Sequence, residues 1–260
     1  MTIYGGLAAG PLIGEWLDET FSTDTVWTVG GILAIAAALF SLAAPGGESG
    51  TGGSIWPTRL YHPAAYRPGL IVFVALFGWA GFLAFVSVWA EEVGVGRAGT
   101  VFALFAGIVL VLRIFAARVP DALGAVRTTR FALLFTTLGL GVIGAWQSVS
   151  GIYVGTALLG LGQTFLFPAL FVLVIDTAPD AERSQAVASF SISFDLAVAA
   201  GGAAAGAIVA VTGATSSAFL LGAGLNAVAL AFGPRSLRRL AEEADETVGD
   251  LRGSGAAPVR

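Results

Sequence analysis

Apolar residues run through this chain in blocks about as long as a bilayer is thick, and the short breaks between blocks carry nearly all the charge. Seven blocks, at 26–44, 69–90, 98–117, 131–147, 151–175, 186–212 and 216–234, are predicted to be membrane-spanning helices. An apolar run at 1–14 is too short to cross at 1.5 Å per residue and reads as the end of a span. The longest break, "PGGESGTGGSIWPTRLYHPAAYRP" (45–68), is rich in Gly, Ser and Pro and lacks a helical period. It is predicted to be a flexible linker between residues 1–44 and a six-helix block at 69–234. The tail, 235–260, begins as the charged "RSLRRLAEEADETVGDL", a predicted surface helix that gives way to disorder by "GSGAAPVR". The expected fold class is an all-α polytopic helical membrane protein.

Composition narrows the chemistry. Hydrophobic residues make up 56% of the chain and charged residues 12%, about half the charge of a soluble domain. Without cysteine there are no disulfides and no thiolate metal sites, and the single histidine, His62 in the linker, cannot form an imidazole dyad or ligate a haem alone. No metal, cofactor or catalytic residue is expected. No cluster of His, Asp or nucleophiles shares one membrane depth, so the chain is not read as an enzyme. A net charge of −4 gives no sign of nucleic-acid binding.

Charge does decide orientation. All 13 basic residues are Arg. Arg59, Arg67, Arg113, Arg118, Arg127, Arg130, Arg183, Arg235, Arg238, Arg239, Arg252 and Arg260 fall on one side of the predicted membrane, and Arg97 alone on the other. Such asymmetry places the linker and C-terminus in the cytoplasm of a cell (inner or plasma) membrane. Trp16, Trp27, Trp89 and Trp146 fall at predicted outer interfaces, where an indole buries its ring and keeps its N–H wet.

The opening "GGLAAGPLIGEWL" (5–17) is neither a secretory leader, since no basic residue precedes Arg59, nor a phosphate loop, since the chain has no Lys. It parallels a later stretch. "GLAAGPLIG" (6–14) matches "GAAAGAIVA" (202–210), and each precedes a Gly-marked span ending in Pro, at 30–45 and 222–234. If Gly10 corresponds to Gly206, residue 1 sits inside a helix whose start is lacking. The spans then come out as two plus six where duplication predicts six plus six.

These residues resemble the major facilitator superfamily. In its proton-coupled exporters the fifth helix carries Gly-x8-Gly-x3-Gly-Pro-x2-Gly-Gly. Gly6, Gly10, Pro11 and Gly14 match the second half, with Glu15 at the last glycine. "RIFAARVPDALGAVRTTR" (113–130) is similar to the family's cytoplasmic Gly-x3-Asp-Arg-x-Gly-Arg-Arg loop: Asp121 and Gly124 keep their places, while Ala117, Ala122, Ala125 and Val126 replace its first Gly and its arginines. "FLFPALFVLVIDTAPDAERSQAVASFSISFDLAVAAGGAAAG" (165–206) looks like helices ten and eleven of efflux permeases. The resemblance implies about eight of twelve helices, lacking roughly the first four, with a polypeptide supplying the rest as a candidate partner. It implies a secondary transporter that exports a small or drug-like molecule in exchange for protons. The alternative is a truncated, non-transporting scaffold or subunit. Either way, helices without their repeat partners should make the chain unstable alone or dependent on association.

Individual residues follow. Pro11 bends its helix and the glycines beside it allow close packing at a rocking interface; ordinary helix packing is the plainer reading. Arg113, Arg118, Asp121, Gly124 and Arg127 form either a cytoplasmic gating network or simple topology markers. Asp195, inside its span, either binds a proton or pairs with an Arg during alternating access, or else makes a fixed structural contact. Gln163, Phe167 and Phe171 share one helix face at i, i+4, i+8. By resemblance they line a central cavity with Trp79 and Phe82, holding an amphipathic substrate; lipid-facing aromatics are the alternative. Asp176, Glu91 and Glu92 lie at helix ends and are read as solvated.

Overall fold

The structure, a computed structural model, describes residues 10, 13–14, 16–43, 61–116, 119–179 and 182–253. It is a helical bundle, with no strand among the described residues. The helices are α1 (Thr23–Ala43), α2 (Pro63–Glu92), α3 (Gly99–Phe115), the short α4 (Val119–Leu123), α5 (Ala125–Ala145), α6 (Val149–Thr177), α7 (Arg183–Thr212) and α8 (Ser216–Gly253). Six of them, α1, α2, α5, α6, α7 and α8, contain a stretch long and apolar enough to cross a membrane.

Several boundaries differ from the sequence expectation, each for a physical reason. Helix α2 starts at Pro63, six residues before the expected span, because His62 caps it and proline suits a first turn, where its missing N–H has no helical role. Helix α5 starts at Ala125, so Arg127 and Arg130 stand on its first two turns and not in a loop. Apolarity marks the part of a helix that contacts lipid, and polar terminal turns extend beyond it. Helix α8 continues through Pro234 to Gly253, so the charged tail prolongs the last span instead of forming a separate element. The proline removes one helical hydrogen bond, and the strong helix formers after it carry the helix on. Helix α3 has 17 residues, about 25 Å at 1.5 Å per residue, and falls short of a full span.

Close backbone approach holds the bundle together. A Cβ on Gly139 of α5 would lie 2.5 Å from the Leu159 nitrogen, and one on Gly155 of α6 would lie 2.7 Å from the Gly139 carbonyl oxygen. Gly78 of α2 and Gly222 of α8 meet in the same way, as does Gly201 of α7 against the Phe77 carbonyl. These contacts suit helices in lipid, where van der Waals packing replaces the hydrophobic drive. Helix α1 buries none of its apolar window; an exposed ion pair between Arg97 and Glu19, 3.0 Å, links the segment before it to the α2–α3 turn.

Polar contacts sort the helix ends. Thr215 donates to Glu92 at 2.6 Å, and Thr100 and Tyr153 share a hydrogen bond of 2.6 Å. The end of α2 therefore lies with the starts of α3, α6 and α8. At the opposite end the start of α2 meets the start of α7, where the His62 N–H donates to Ser189 Oγ at 2.9 Å.

Candidate functional site

The expected face of α6 is present. Phe167 and Phe171 stack with ring centroids 5.7 Å apart. Helix α7 contributes two rings that the sequence reading missed: Phe190, 5.3 Å from Phe167, and Phe194, edge-on to Phe167 at 5.7 Å. Their signal was the i, i+4 spacing in "FSISF" (190–194). Trp79, Phe167, Phe171 and Phe194 pack around one buried apolar cluster, each of them only partly buried. One turn along α6, Gln163 is buried, and its Nε2 has no hydrogen-bond partner among the described residues; the same holds for Trp79 Nε1. A buried donor left unpaired costs about 1–3 kcal/mol, so each of these groups is a place where the packing leaves hydrogen-bonding capacity unused.

Phe82 does not join this patch. It is fully buried against Phe105 (5.8 Å) and Phe102 (6.4 Å) of α3. Lying one turn beyond Trp79, it meets the level where α3 packs, and it serves the core instead of lining an opening.

Asp195 lies on the exposed side of α7 and makes no hydrogen bond or ion pair with any described residue. Ser191, Ile192, Leu196, Ala199 and Ala203 share its exposure, while Ser189, Ser193, Ala197 and Gly201 are buried on the packed side. Because α7 begins at Arg183, Asp195 is about 4 Å from the helix midpoint at 1.5 Å per residue. That is nearer mid-span than the shorter predicted span implied. The fixed structural contact expected as one alternative is not found among the described residues.

Of the antiporter-type motif, Gly6 and Pro11 lie outside the described residues. Gly10 has open space where a side chain would go, and Gly14 meets only Val26, at 4.0 Å. Gly206, the proposed counterpart of Gly10, is equally open. In the 113–130 segment, Arg118 and the Asp121 side chain also lie outside the described residues. Arg113 is half-buried in the last turn of α3 and Arg127 is exposed on α5. Gly124 adopts φ 79°, a left-handed conformation that favours glycine, and its carbonyl accepts from the N–H of Thr128. Its place in the loop therefore has a backbone cause. Asp176, Glu91 and Glu92 are exposed at helix ends.

His62 is more than a linker residue. Its Nδ1 accepts the Ala64 N–H at 3.2 Å, which leaves the ring proton on Nε2 to donate to Glu182 at 2.7 Å. Tyr61 shares a 2.6 Å hydrogen bond with Ser193. These contacts tie the linker end of α2 to α7. The dipeptide His62-Pro63 was the sequence signal, a cap followed by proline at the first helical position. Among the described residues no group of His, Asp or Glu side chains converges on a metal site.

The described residues form an apolar helical bundle with an aromatic patch between α6 and α7 and a carboxylate, Asp195, exposed near the middle of α7. A profile of the Major Facilitator Superfamily matches residues 69–254. The chain belongs to the major facilitator superfamily. Among curated superfamily relatives it is similar to the uncharacterized MFS-type transporter STM4428 of Salmonella typhimurium, 29% identical over 86% of this chain and 57% of the relative. It is also similar to the uncharacterized MFS-type transporter YhhS of Escherichia coli K12, 22% identical over 94% of this chain and 60% of the relative. The chain thus spans about three-fifths of the length of these relatives. No solved structure matches it.

Proposed function

We propose that this superfamily member forms part of a secondary transporter that exports a small amphipathic or lipophilic molecule in exchange for protons, by alternating access in a cell membrane. The observation that carries this reading is the patch of Gln163, Phe167 and Phe171 with Phe190 and Phe194, which combines apolar ring faces with a buried, unpartnered amide donor. The position of Asp195 supports proton coupling: it is a carboxylate near mid-span that makes no hydrogen bond or ion pair with any described residue, and acidic side chains within membrane spans mark proton and substrate pathways. The match of Gly6, Gly10, Pro11 and Gly14 to the exporters' fifth-helix motif supports the direction. The uncovered, alanine-rich face of α7 around Asp195 supports packing against further helices, supplied by a polypeptide partner that completes the transport unit.

The test is transport. The chain, purified with any polypeptide that stays bound, is reconstituted into proteoliposomes, and ethidium movement is followed under an imposed pH gradient. Gradient-driven movement is expected, with Gln163→Leu weakening apparent affinity about tenfold, the effect of losing one buried hydrogen bond of about 1.4 kcal/mol. Asp195→Asn should remove the dependence on the gradient. Transport that keeps its pH dependence in Asp195→Asn rules out the coupling role, and indifference to Gln163→Leu rules out the patch as the binding site.

A further inference from the structure

At the end of the molecule that holds the described arginines other than Arg97, α5 and α8 together wall an open cleft. Two adjoining grooves of about 570 and 330 Å³ open there, sharing Arg130, Leu134 and Pro234 in their walls. The cause lies in the sequence. At the far end of these antiparallel helices, Gly144 lets α5 sit against Leu220 and the Ser216 carbonyl of α8. At the near end Leu134 of α5 and Leu230 of α8 stand in the groove walls, and Pro234 leaves the Leu230 carbonyl without its helical donor. The wall of α5 is a single stripe, with Arg130 one turn and Arg127 two turns above Leu134. The wall of α8 repeats the order, with Arg235 above Leu230.

The groove is therefore graded: guanidinium groups at its mouth, and leucine, alanine and proline below. Among the described residues, no acidic side chain lines either groove. All three arginines are exposed. Arg235 donates only to the Ala231 carbonyl of its own helix, and Arg127 and Arg130 make no hydrogen bond or ion pair with any described residue. From Arg127 to Leu134 the helix rises about 10 Å, the distance over which a membrane passes from headgroups to acyl chains. A free phosphate would satisfy the mouth and leave the apolar floor unused, and a zwitterionic lipid would set its own cation against the arginines.

We propose that the α5–α8 groove is a binding site for an anionic phospholipid, whose phosphate is held by Arg127, Arg130 and Arg235 while an acyl chain lies along Leu134 and Leu230. The proposal rests on the membrane embedding of the chain and not on its transport function.

The test is native mass spectrometry of the full chain released from detergent, with phosphatidylglycerol, phosphatidylcholine of the same acyl chains, or inorganic phosphate. Phosphatidylglycerol should stay bound, with phosphatidylcholine retained at least tenfold less and inorganic phosphate failing to displace the lipid. Arg127→Gln and Arg130→Gln should each weaken phosphatidylglycerol binding about five-fold, the equivalent of roughly 1 kcal/mol per basic residue near a membrane surface. Arg97→Gln, at the other end of the bundle, should change nothing. Leu134→Trp, which fills the floor and keeps every charge, should also weaken it. Equal retention of the two lipids, indifference to both Gln variants, displacement by inorganic phosphate or indifference to Leu134→Trp would each overturn the proposal. Should the Trp variant fail to fold, photocrosslinking of the unaltered chain with a diazirine-tailed phosphatidylglycerol decides. Labels concentrated in 127–134 and 227–235 support the site, and labels spread evenly over the exposed helices overturn it.

Discussion

Glycine is the residue on which packing in this bundle turns, and its neighbours separate two kinds. A methyl on Gly155 would meet the Gly139 carbonyl at 2.7 Å and Ile143 Cγ1 at 2.5 Å. The first is backbone and cannot yield, so α5 and α6 must move apart. Gly155→Ala is expected to destabilise the bundle by about 1–3 kcal/mol, the usual range for overpacking. Gly206→Ala meets nothing within 4 Å and should be neutral or gain up to about 1 kcal/mol from helix propensity. Unfolding of the purified variants in mixed detergent measures both, and equal effects would show that these glycines are interchangeable. The Gly/Ala-rich segments at 155–162 and 201–210 look alike in sequence. Whether a glycine faces a neighbour or open space depends on the rotation of its helix, which spacing alone does not report. Gly124 and His62 show the same limit in reverse, because their roles belong to one backbone angle and to one partner 120 residues away.

Helices were more legible than their ends. A 20-residue apolar run is hard to place anywhere but across a bilayer, so every predicted span corresponds to a helix. Most ends moved by up to six residues, and the end of α8 moved from 234 to 253, because caps, proline and polar turns set them, not hydropathy. Packing between elements was least legible, as α6 and α7 show. Phe167 and Phe171 were readable as one face, but their partners Phe190 and Phe194 became visible only once α7 lay beside α6. Within that pairing Phe190 has no exposed surface, and its ring meets both Phe167 and Phe171. Phe190→Ala is expected to cost about 3–5 kcal/mol, the range for deleting a buried aromatic side chain. Phe115→Ala, at a site 83% exposed, should cost almost nothing. The same unfolding assay compares them; a small loss for Phe190→Ala would mean that the rings stack without holding α6 to α7.

At the scale of the whole molecule, charge and packing bear on orientation from independent directions. Seven arginines have described side chains: Arg67, Arg113, Arg127, Arg130, Arg183 and Arg235 stand at the end where His62 meets Ser189, and Arg97 at the end where Thr215 meets Glu92. The arginine asymmetry read along the sequence is therefore an asymmetry of the folded bundle. The tryptophans speak less uniformly. Trp16, Trp27 and Trp146 are more than half exposed, as an interfacial belt requires, whereas Trp89 is buried against Phe219 at 5.9 Å and belongs to the core. Orientation accordingly rests on the arginines, and the chain offers a clean way to check it because it has no cysteine of its own. Gly96 is exposed in the α2–α3 turn with nothing within 4 Å, and Ser184 is exposed on the first turn of α7, at the opposite end. If basic residues are retained in the cytoplasm, Gly96→Cys should react with a membrane-impermeant maleimide on intact cells. Ser184→Cys should react only after permeabilisation. The reverse pattern would invert the bundle and set the arginine-rich groove between α5 and α8 against the outer leaflet.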